Sequence, residues 1–124
     1  MRIGVDLLHI SRFNRIAERP RFRRMLFSAK ELQAARHMRQ PRLGEYLAGR
    51  FCGKEAVAKV LGRGFGQGLE WRDIEILADD WGAPAVFLHS GAARIAAAAG
   101  VGAINLSLTH QNDLVICVAA VCCR

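Results

Sequence analysis

The segment "GRFCGKEAVAKVLGRG", residues 49–64, belongs to the longest helix that the sequence predicts. Proline is tolerated in a first helical turn and glycine commonly ends a helix. We therefore predict a helix that begins near Pro41, continues to Val60 and stops at Gly62. Apolar side chains recur along it at helical spacing, so we expect the helix to be packed rather than wholly exposed. They are Tyr46, Leu47, Phe51, Val57 and Val60.

Two charged residues of this helix admit two interpretations. Glu55 and Lys59 are four residues apart, so they share a face and can pair with each other. An exposed pair of this kind contributes under about 1 kcal/mol to stability. The alternative is a site for a charged ligand, because the glycines that follow the helix let backbone amides approach phosphate oxygens closely. The helix by itself leaves both interpretations open.

Outside this helix, the hydrophobic pattern predicts the element order β-α-α-α-β-β-α-β-β. The N-terminal "RIGVDLLHI" is rich in β-branched and apolar residues, which favours a first strand. We read "SRFNRIAERP" as a short helix that Pro20 stops. The next helix lies in "SAKELQAARHMRQ", where Ser28 and Glu31 have the spacing of a capping box.

The second half of the chain predicts four strands and one helix. "WRDIEILAD" and "PAVFLH" flank the turn "DDWGAP", and "SGAARIAAAAG" is a short helix with Ser90 as its cap and Gly100 as its end. "GAINLSLTH" and "DLVICVAAVCC" are joined by a polar turn from His110 to Asp113. Strands that meet through turns indicate an α+β fold, in which a largely antiparallel sheet packs against helices.

The length and composition narrow the class of protein. A chain of 124 residues leaves little room for a second core, so we expect a single domain over residues 1–124. Its apolar stretches are much shorter than the roughly 20 residues that cross a bilayer, and its N-terminus lacks the order of a signal peptide. We expect a cytoplasmic protein with no membrane partner. The four cysteines, which lack zinc-site spacing, are expected to be reduced structural thiols: Cys52, Cys117, Cys122 and Cys123.

The net charge of +7 is unevenly distributed. Residues 1–63 contain 15 Lys/Arg against 5 Asp/Glu, whereas residues 64–124 contain 3 against 6. A basic surface of this kind favours acidic partners, among them nucleic acid, anionic lipid, phosphorylated ligands and acidic proteins. No aromatic platform or zinc signature accompanies the basic residues, so nucleic acid is the weaker choice. Six arginines form a patch: Arg12, Arg15, Arg19, Arg21, Arg23 and Arg24.

Two further residues are candidates for chemistry. Asp6 follows an apolar strand start, where an isolated buried carboxylate would be costly. It is either a cap for the helix beginning near Ser11 or a ligand of a hard cation such as Mg²⁺, which favours one or two carboxylates plus ligand phosphates. His110 is either an ordinary turn histidine or a phosphate donor and general base.

Several motifs in this order resemble the holo-[acyl-carrier-protein] synthases, the small class of 4'-phosphopantetheinyl transferases. "IGVDLLHISRF" is similar to the family's opening motif, with an arginine six residues after the aspartate. "YLAGRFCGKEAVAKVLGRGF" is similar to its second motif, F-x-x-K-E-A-x-x-K-x-x-G-x-G. "DIEI", "GAP" and "SLTH" match its downstream segments in order, so the resemblance covers nearly the whole chain.

The resemblance implies a fold, an activity and site residues. A member of this family has the single-domain 4'-phosphopantetheinyl transferase fold. It transfers the phosphopantetheine arm of coenzyme A to a serine of acyl carrier protein and releases adenosine 3',5'-bisphosphate. Asp6 and Glu55 would be the magnesium ligands, and Glu55, Lys59 and His110 the catalytic residues. The carrier protein would bind Arg12, Arg21 and Arg24. The coenzyme would contact Arg50, Lys59, Gly62, Arg63, Gly64, Phe65, Pro84 and His110.

The resemblance also implies a homotrimer with active sites at the subunit interfaces, and a role in fatty-acid biosynthesis. Four positions depart from the family pattern: His9, Cys52, Gly53 and Gln111. Gln111 cannot act as a base, so Glu55 or a magnesium-bound water is the expected proton acceptor. The substitutions at positions 9 and 111 leave open a second function, a module that binds carrier protein without catalysis. Nucleic-acid binding is the third.

Overall fold

A computed structural model describes residues 1–122 of the chain. Its strands and helices follow the predicted order, with one additional helix in the first half of the chain. The elements are β1 (Arg2–His9), α1 (Ile10–Ala17), α2 (Pro20–Leu26), α3 (Ala29–Ala34), α4 (Arg42–Leu61), a 3-10 turn (Trp71–Asp73), β2 (Ile74–Ala78), β3 (Pro84–Leu88), α5 (Ser90–Ala98), β4 (Asn105–Gln111) and β5 (Leu114–Val121).

The strands form two antiparallel sheets. The larger has the order β1-β5-β4, and the smaller is the β2–β3 hairpin. Helix α4 packs against the inner face of the larger sheet, where Val115, Cys117 and Ala119 are buried. The predicted fold class, a largely antiparallel sheet packed against helices, is confirmed. Among residues 1–122, no helix combines the length and apolar character that crossing a bilayer would require.

Small residues let α4 approach the sheets closely. A methyl group at Gly4 of β1 would collide with the backbone carbonyl oxygen of Ala56 in α4. A methyl group at Gly53 would lie 2.7 Å from Cδ1 of Ile76 and 3.0 Å from Cδ2 of Leu106. Because a Cβ at position 4 would collide with backbone, Gly4 is required for the close approach of β1 to α4; at Gly53, the ends of the Ile76 and Leu106 side chains would have to move.

The outer face of the larger sheet is apolar and exposed. Side chains alternate between the two faces of a strand, so paired residues form rows across the sheet. Two such rows are Val5–Val118–Ser107 and Leu7–Ile116–Thr109. Leu7 is 57% exposed and Val5 is 52% exposed. The exposed apolar residues of this face are Ile3, Val5, Leu7, Leu114, Ile116 and Val118.

Three local predictions were wrong. Pro20 begins α2 instead of ending the preceding helix, because its fixed φ suits a first turn that lacks an N–H partner. Ser90 does not cap α5: His89 is the cap residue, and Ser90 is the first helical residue with a φ of 46°. Residues Trp71–Asp73 form a 3-10 turn rather than the start of a strand.

The other local signals correspond more closely to the structure. Ser28 Oγ accepts from the backbone N–H of Glu31, and the Glu31 carboxylate accepts from that of Ser28, so the capping box is present. Gly62 ends α4 in a left-handed conformation with φ 74°. The turn between β4 and β5 is shorter than the predicted turn from His110 to Asp113, because β4 runs to Gln111 and therefore contains His110. Cys52 and Cys117 are buried free thiols, Cys122 is exposed, and Cys123 lies outside the described residues.

A buried ion pair joins four elements of the structure. The side chains of Lys54 in α4 and Glu31 in α3 are both fully buried, with Nζ 2.8 Å from Oε1. Lys54 also donates to the carbonyl oxygens of Trp71 and Ile74. The other carboxylate oxygen of Glu31 accepts from the backbone N–H of Ile76 at 2.8 Å. Burial lowers the pKa of Lys54, and the charge of Glu31 opposes that shift.

We predict that Lys54→Met destabilises the fold by about 3 to 5 kcal/mol, because the substitution leaves a buried carboxylate without its partner. The measurement is the free energy of unfolding in urea at a fixed protein concentration. The matched control is Lys30→Met, which removes an exposed lysine from α3. Equal stability of the two variants would contradict the structural role assigned to Lys54.

Candidate active site

Asp6, Glu55 and Lys59 meet where β1 crosses α4. Asp6 lies two residues after Gly4, on the strand face that α4 covers, and its side chain is 18% exposed. Lys59 Nζ donates to the backbone carbonyl oxygen of Val5 at 2.7 Å and to Asp6 Oδ1 at 3.3 Å. Within residues 1–122, the ion pair of Lys59 is therefore with Asp6 and not with Glu55. The interpretation of Glu55 and Lys59 as a simple surface pair is wrong.

Glu55 faces the same cluster. Burial raises the pKa of its carboxyl, the negative charge of Asp6 raises it further, and Lys59 partly offsets both effects. Two carboxylates that repel each other in this way form a place where a divalent cation is favoured. Residues 1–122 contain no group of three or more His, Cys, Asp or Glu side chains that could hold a metal. A cation held by Asp6 and Glu55 would thus need further oxygen ligands from a substrate or from water, which is how Mg²⁺ commonly binds.

Asp6 does not cap the helix that begins near Ser11; Asp113 does. Asp113 accepts from the backbone N–H of Ser11 at 2.9 Å and from Ser11 Oγ at 2.6 Å, at the start of α1. These hydrogen bonds hold the pKa of Asp113 below its usual range. His9 lies 3.7 Å from the same carboxylate. The sequence predicted that Asp113 lies in a turn, but no local pattern indicates its contact with Ser11, about a hundred residues away in the chain.

A cavity of about 570 Å³ opens beside Glu55 and Lys59. Its wall includes the end of α4 and the loop that follows, so the predicted loop residues do lie next to Glu55 and Lys59. Trp71 completes the wall and stacks on Phe65, with ring centroids 3.6 Å apart. Sequence reasoning missed Trp71, since only the fold brings the 3-10 turn to this loop. The predicted lining residues are Glu55, Lys59, Gly62, Arg63, Gly64 and Phe65.

A second cavity, of about 510 Å³, lies near the other end of α4. Arg50, Pro84 and His110, which the resemblance assigns to the coenzyme site, all line it. His110 Nδ1 is 4.0 Å from Glu45 Oε2, and the Arg50 guanidinium lies 4.7 Å from the centre of the Tyr46 ring. Within residues 1–122, Arg50 Nε is buried without a hydrogen-bond partner. The predicted coenzyme residues therefore divide between two cavities of one chain.

Three predicted partner-binding residues lie on a third surface. Arg12 on α1 and Arg21 and Arg24 on α2 are all exposed. Arg12 also lines an apolar groove of about 450 Å³, whose walls include Phe13 and Trp71. Arg23 Nε donates to the backbone carbonyl oxygen of Ala17 at 2.7 Å, so that arginine joins α1 to α2. The patch thus contains both exposed residues and a residue with a structural hydrogen bond.

Known proteins resemble this chain over most of its length. It is 40% identical over 118 residues to a holo-[acyl-carrier-protein] synthase of Caldanaerobacter subterraneus subsp. tengcongensis, covering 94% of this chain and 91% of that protein. The crystal structure of a holo-[acyl-carrier-protein] synthase from Neisseria meningitidis superposes with a TM-score of 0.86 at 27% identity, covering 97% and 96% of the two chains. An ACPS–CoA complex from Chronobacterium ammoniagenes gives 0.84 at 31% identity, covering 98% and 96%.

A family model agrees with these similarities. The model described as the 4'-phosphopantetheinyl transferase superfamily matches residues 2–119, which include the carboxylate cluster, the glycine-rich loop and the second cavity. The match covers the five helices of residues 1–122 and, apart from the last two residues of β5, the strands of both sheets. The chain belongs to the 4'-phosphopantetheinyl transferase superfamily.

Proposed function

We propose that this protein is a holo-[acyl-carrier-protein] synthase that transfers 4'-phosphopantetheine from coenzyme A to a serine of acyl carrier protein. The reaction requires Mg²⁺ and releases adenosine 3',5'-bisphosphate. The observation that carries the proposal is the cluster of Asp6, Glu55 and Lys59 beside the glycine-rich loop. It occurs in a chain that is about 40% identical to enzymes of that name.

The residues fit a bound magnesium ion. Asp6 and Glu55 offer two carboxylates that repel each other in its absence, and the adjoining cavity leaves room for substrate oxygens. When bound, the ion would neutralise charge on the diphosphate of coenzyme A. Lys59, 52% exposed and tethered to Asp6, can donate to the same diphosphate and stabilise the negative charge that develops on it.

The proton of the attacking serine hydroxyl needs an acceptor. Gln111 has no basic group, and the Asp113 carboxylate already accepts two hydrogen bonds from Ser11. Glu55 is the carboxylate that lines the cavity, so one of its oxygens could accept the proton while the other faces the cation. We therefore assign the acceptor role to Glu55.

The proposed assembly is a homotrimer with shared active sites. The exposed apolar face of the larger sheet is a surface that a second subunit could bury. Arg50, Pro84 and His110 line a different cavity from Glu55 and Lys59. A coenzyme that needs both groups would span two subunits, with one subunit supplying the carboxylates and its neighbour supplying His110.

The proposed partner is an acidic carrier protein. Arg12, Arg21 and Arg24 form an exposed basic surface on α1 and α2, and Arg12 borders the apolar groove beside Trp71. Trp71 also lines the cavity beside Glu55 and Lys59, so a carrier bound at this surface would lie close to the reacting groups. Complementary charge of this kind raises the rate of association and orients the partner.

We predict that Glu55→Gln and Asp6→Asn each lower the rate of transfer by about 100-fold. Each variant lacks one proposed magnesium ligand, so the ion would bind more weakly and the charge of the diphosphate would be less well stabilised. Transfer is measured as a phosphopantetheine-sized increase in the intact mass of apo-carrier protein. Added Mg²⁺ should partly restore the rate of Asp6→Asn, whereas Glu55→Gln also lacks the assigned proton acceptor and should stay slow. Glu18→Gln, an exposed carboxylate at the end of α1, serves as the control. Wild-type rates in both test variants would refute the proposed metal site.

We predict that two impaired variants regain activity when mixed. Glu55→Gln and His110→Ala subunits, combined after mild dissociation, should form trimers in which about one site in four has both groups intact. The measurement is the same transfer assay, compared with each variant alone. A mixture of Glu55→Gln with Asp6→Asn is the control and should stay inactive, since those residues lie in the same half-site. No recovery in the first mixture would contradict shared sites.

We predict that Arg12→Ala and Arg24→Ala each raise the KM for carrier protein several-fold and leave the KM for coenzyme A unchanged. Removal of a rim charge chiefly slows association, and the effect should shrink at high ionic strength. Arg94→Ala, which removes an exposed arginine from α5, provides the comparison. An equal change for Arg94→Ala would show that net charge alone, and not this surface, determines the KM.

A further inference from the structure

Trp71 lies between two cavities of the structure. It lines the apolar groove of about 450 Å³ that Arg12 borders, and it also lines the cavity of about 570 Å³ beside Glu55 and Lys59. The groove adjoins the surface proposed for the carrier protein, and the second cavity is where the proposed reaction would occur. The proposed chemistry gives Trp71 no role, although its ring forms part of both walls.

Aromatic rings form a continuous row that ends at the glycine-rich loop. Trp71 stacks on Phe65 of the loop, with ring centroids 3.6 Å apart and an angle of 10° between the ring planes. Trp71 also stacks with Phe51 of α4, at 4.8 Å. Phe13 of α1 contacts Phe51 at 4.8 Å, and the buried Phe27 lies at the other end of the row, 6.3 Å from Phe13. Pairs of this kind add stabilisation beyond the area that they bury.

Hydrogen bonds in the middle of the loop join loop residues to one another. The backbone N–H of Gly66 donates to the carbonyl oxygen of Leu69 at 2.9 Å, and that of Gly64 donates to Gln67 Oε1 at 3.0 Å. These bonds shape the loop without fixing its distance from α4. Phe65 stands between Gly64 and Gly66, where the backbone has wide conformational freedom. The Phe65 ring therefore ties the most adaptable part of the loop to Trp71.

Trp71 is itself held to the core. Its backbone carbonyl oxygen accepts from Nζ of the buried Lys54 at 3.0 Å. In the 3-10 turn, the backbone N–H of Glu70 donates to Asp73 Oδ2 at 3.1 Å, and that of Asp73 donates to the Glu70 carbonyl oxygen at 3.1 Å. Lys54 precedes Glu55 in α4. Trp71 thus joins the loop to the part of the helix that carries the proposed metal ligand.

We propose that Trp71 is a positioning residue. By stacking on Phe65, it holds the glycine-rich loop close to Glu55, so that Arg63 and the loop amides can bind the diphosphate of the coenzyme. The inference rests on the proposed function, because it concerns how the site for that substrate is formed. Trp71 acts through Phe65 and needs no contact of its own with the coenzyme. A loop that is already in place loses less entropy on binding, so the effect falls on the affinity for coenzyme.

Steady-state kinetics of the intact assembly test this role. Trp71→Leu should raise the KM for coenzyme A by about tenfold and leave kcat nearly unchanged, since it removes one aromatic pair that supports binding. Trp71→Phe keeps a flat ring and should restore most of the lost affinity. The matched control is Phe27→Leu, which removes a ring from the buried end of the row and should not alter this KM. A wild-type KM for Trp71→Leu, or an equal increase for Phe27→Leu, would overturn the proposal.

A double variant shows whether Trp71 acts through Phe65. Substitutions that disrupt one shared contact have non-additive effects. The variant with both Trp71→Leu and Phe65→Leu should therefore have the same KM for coenzyme A as Phe65→Leu alone. If the two single increases multiply in the double variant, Trp71 acts independently of Phe65 and the proposal is wrong.

Limited digestion with trypsin gives a readout that does not depend on activity, because Arg63 lies in the loop. The rate of cleavage after Arg63, divided by that after Arg94 of α5, should rise in Trp71→Leu and Phe65→Leu and stay unchanged in Phe27→Leu. A general loss of stability accelerates both cleavages alike. An unchanged ratio in Trp71→Leu and Phe65→Leu would overturn the proposal. If wild-type protein transfers phosphopantetheine, such a failure concerns Trp71 alone, whereas absence of transfer by wild-type protein would overturn the proposed function.

Discussion

The buried pair of Lys54 and Glu31 is the interaction on which the site depends. It joins α4 to α3, and through the carbonyl oxygens of Trp71 and Ile74 it also joins α4 to the 3-10 turn and β2. With Lys54 directed inward, the next residue is rotated by about 100° around the helix axis. Glu55 thereby faces a different direction, towards the cavity, and Lys59 follows on the same side one turn later.

Close packing between α4 and β1 then brings the second carboxylate into place. Gly4 allows the strand to lie against the backbone of Ala56, and Asp6 follows on the same strand face. An aspartate here is costly to desolvate unless a cation compensates it. Lys59 provides that compensation, with Nζ 3.3 Å from Asp6 Oδ1. The packing that stabilises the fold therefore also creates the charge arrangement that the proposed chemistry uses.

Two features of residues 1–122 lack a partner within a single chain. The outer face of the larger sheet is apolar, and the phosphate-binding candidates Arg50 and His110 lie in a different cavity from Glu55. Burial of the sheet face against other subunits and completion of the site from a neighbour would account for both features together. Under the proposal, assembly is then a requirement for catalysis, because neither cavity alone contains all the groups that the coenzyme needs.

The sequence by itself determined the elements whose signals are local: the capping box at Ser28, the long helix ending at Gly62, the final hairpin and the α+β class. Its motifs also identified Asp6, Glu55 and Lys59 as candidates. It misjudged Pro20 and Ser90, since a proline or a serine suits more than one position near a helix start. Only the tertiary structure decided that Lys59 pairs with Asp6, that Asp113 caps α1, and that Trp71 borders the cavity. Each of these contacts joins residues far apart in the chain or on different elements, and local propensity carries no information about such distances.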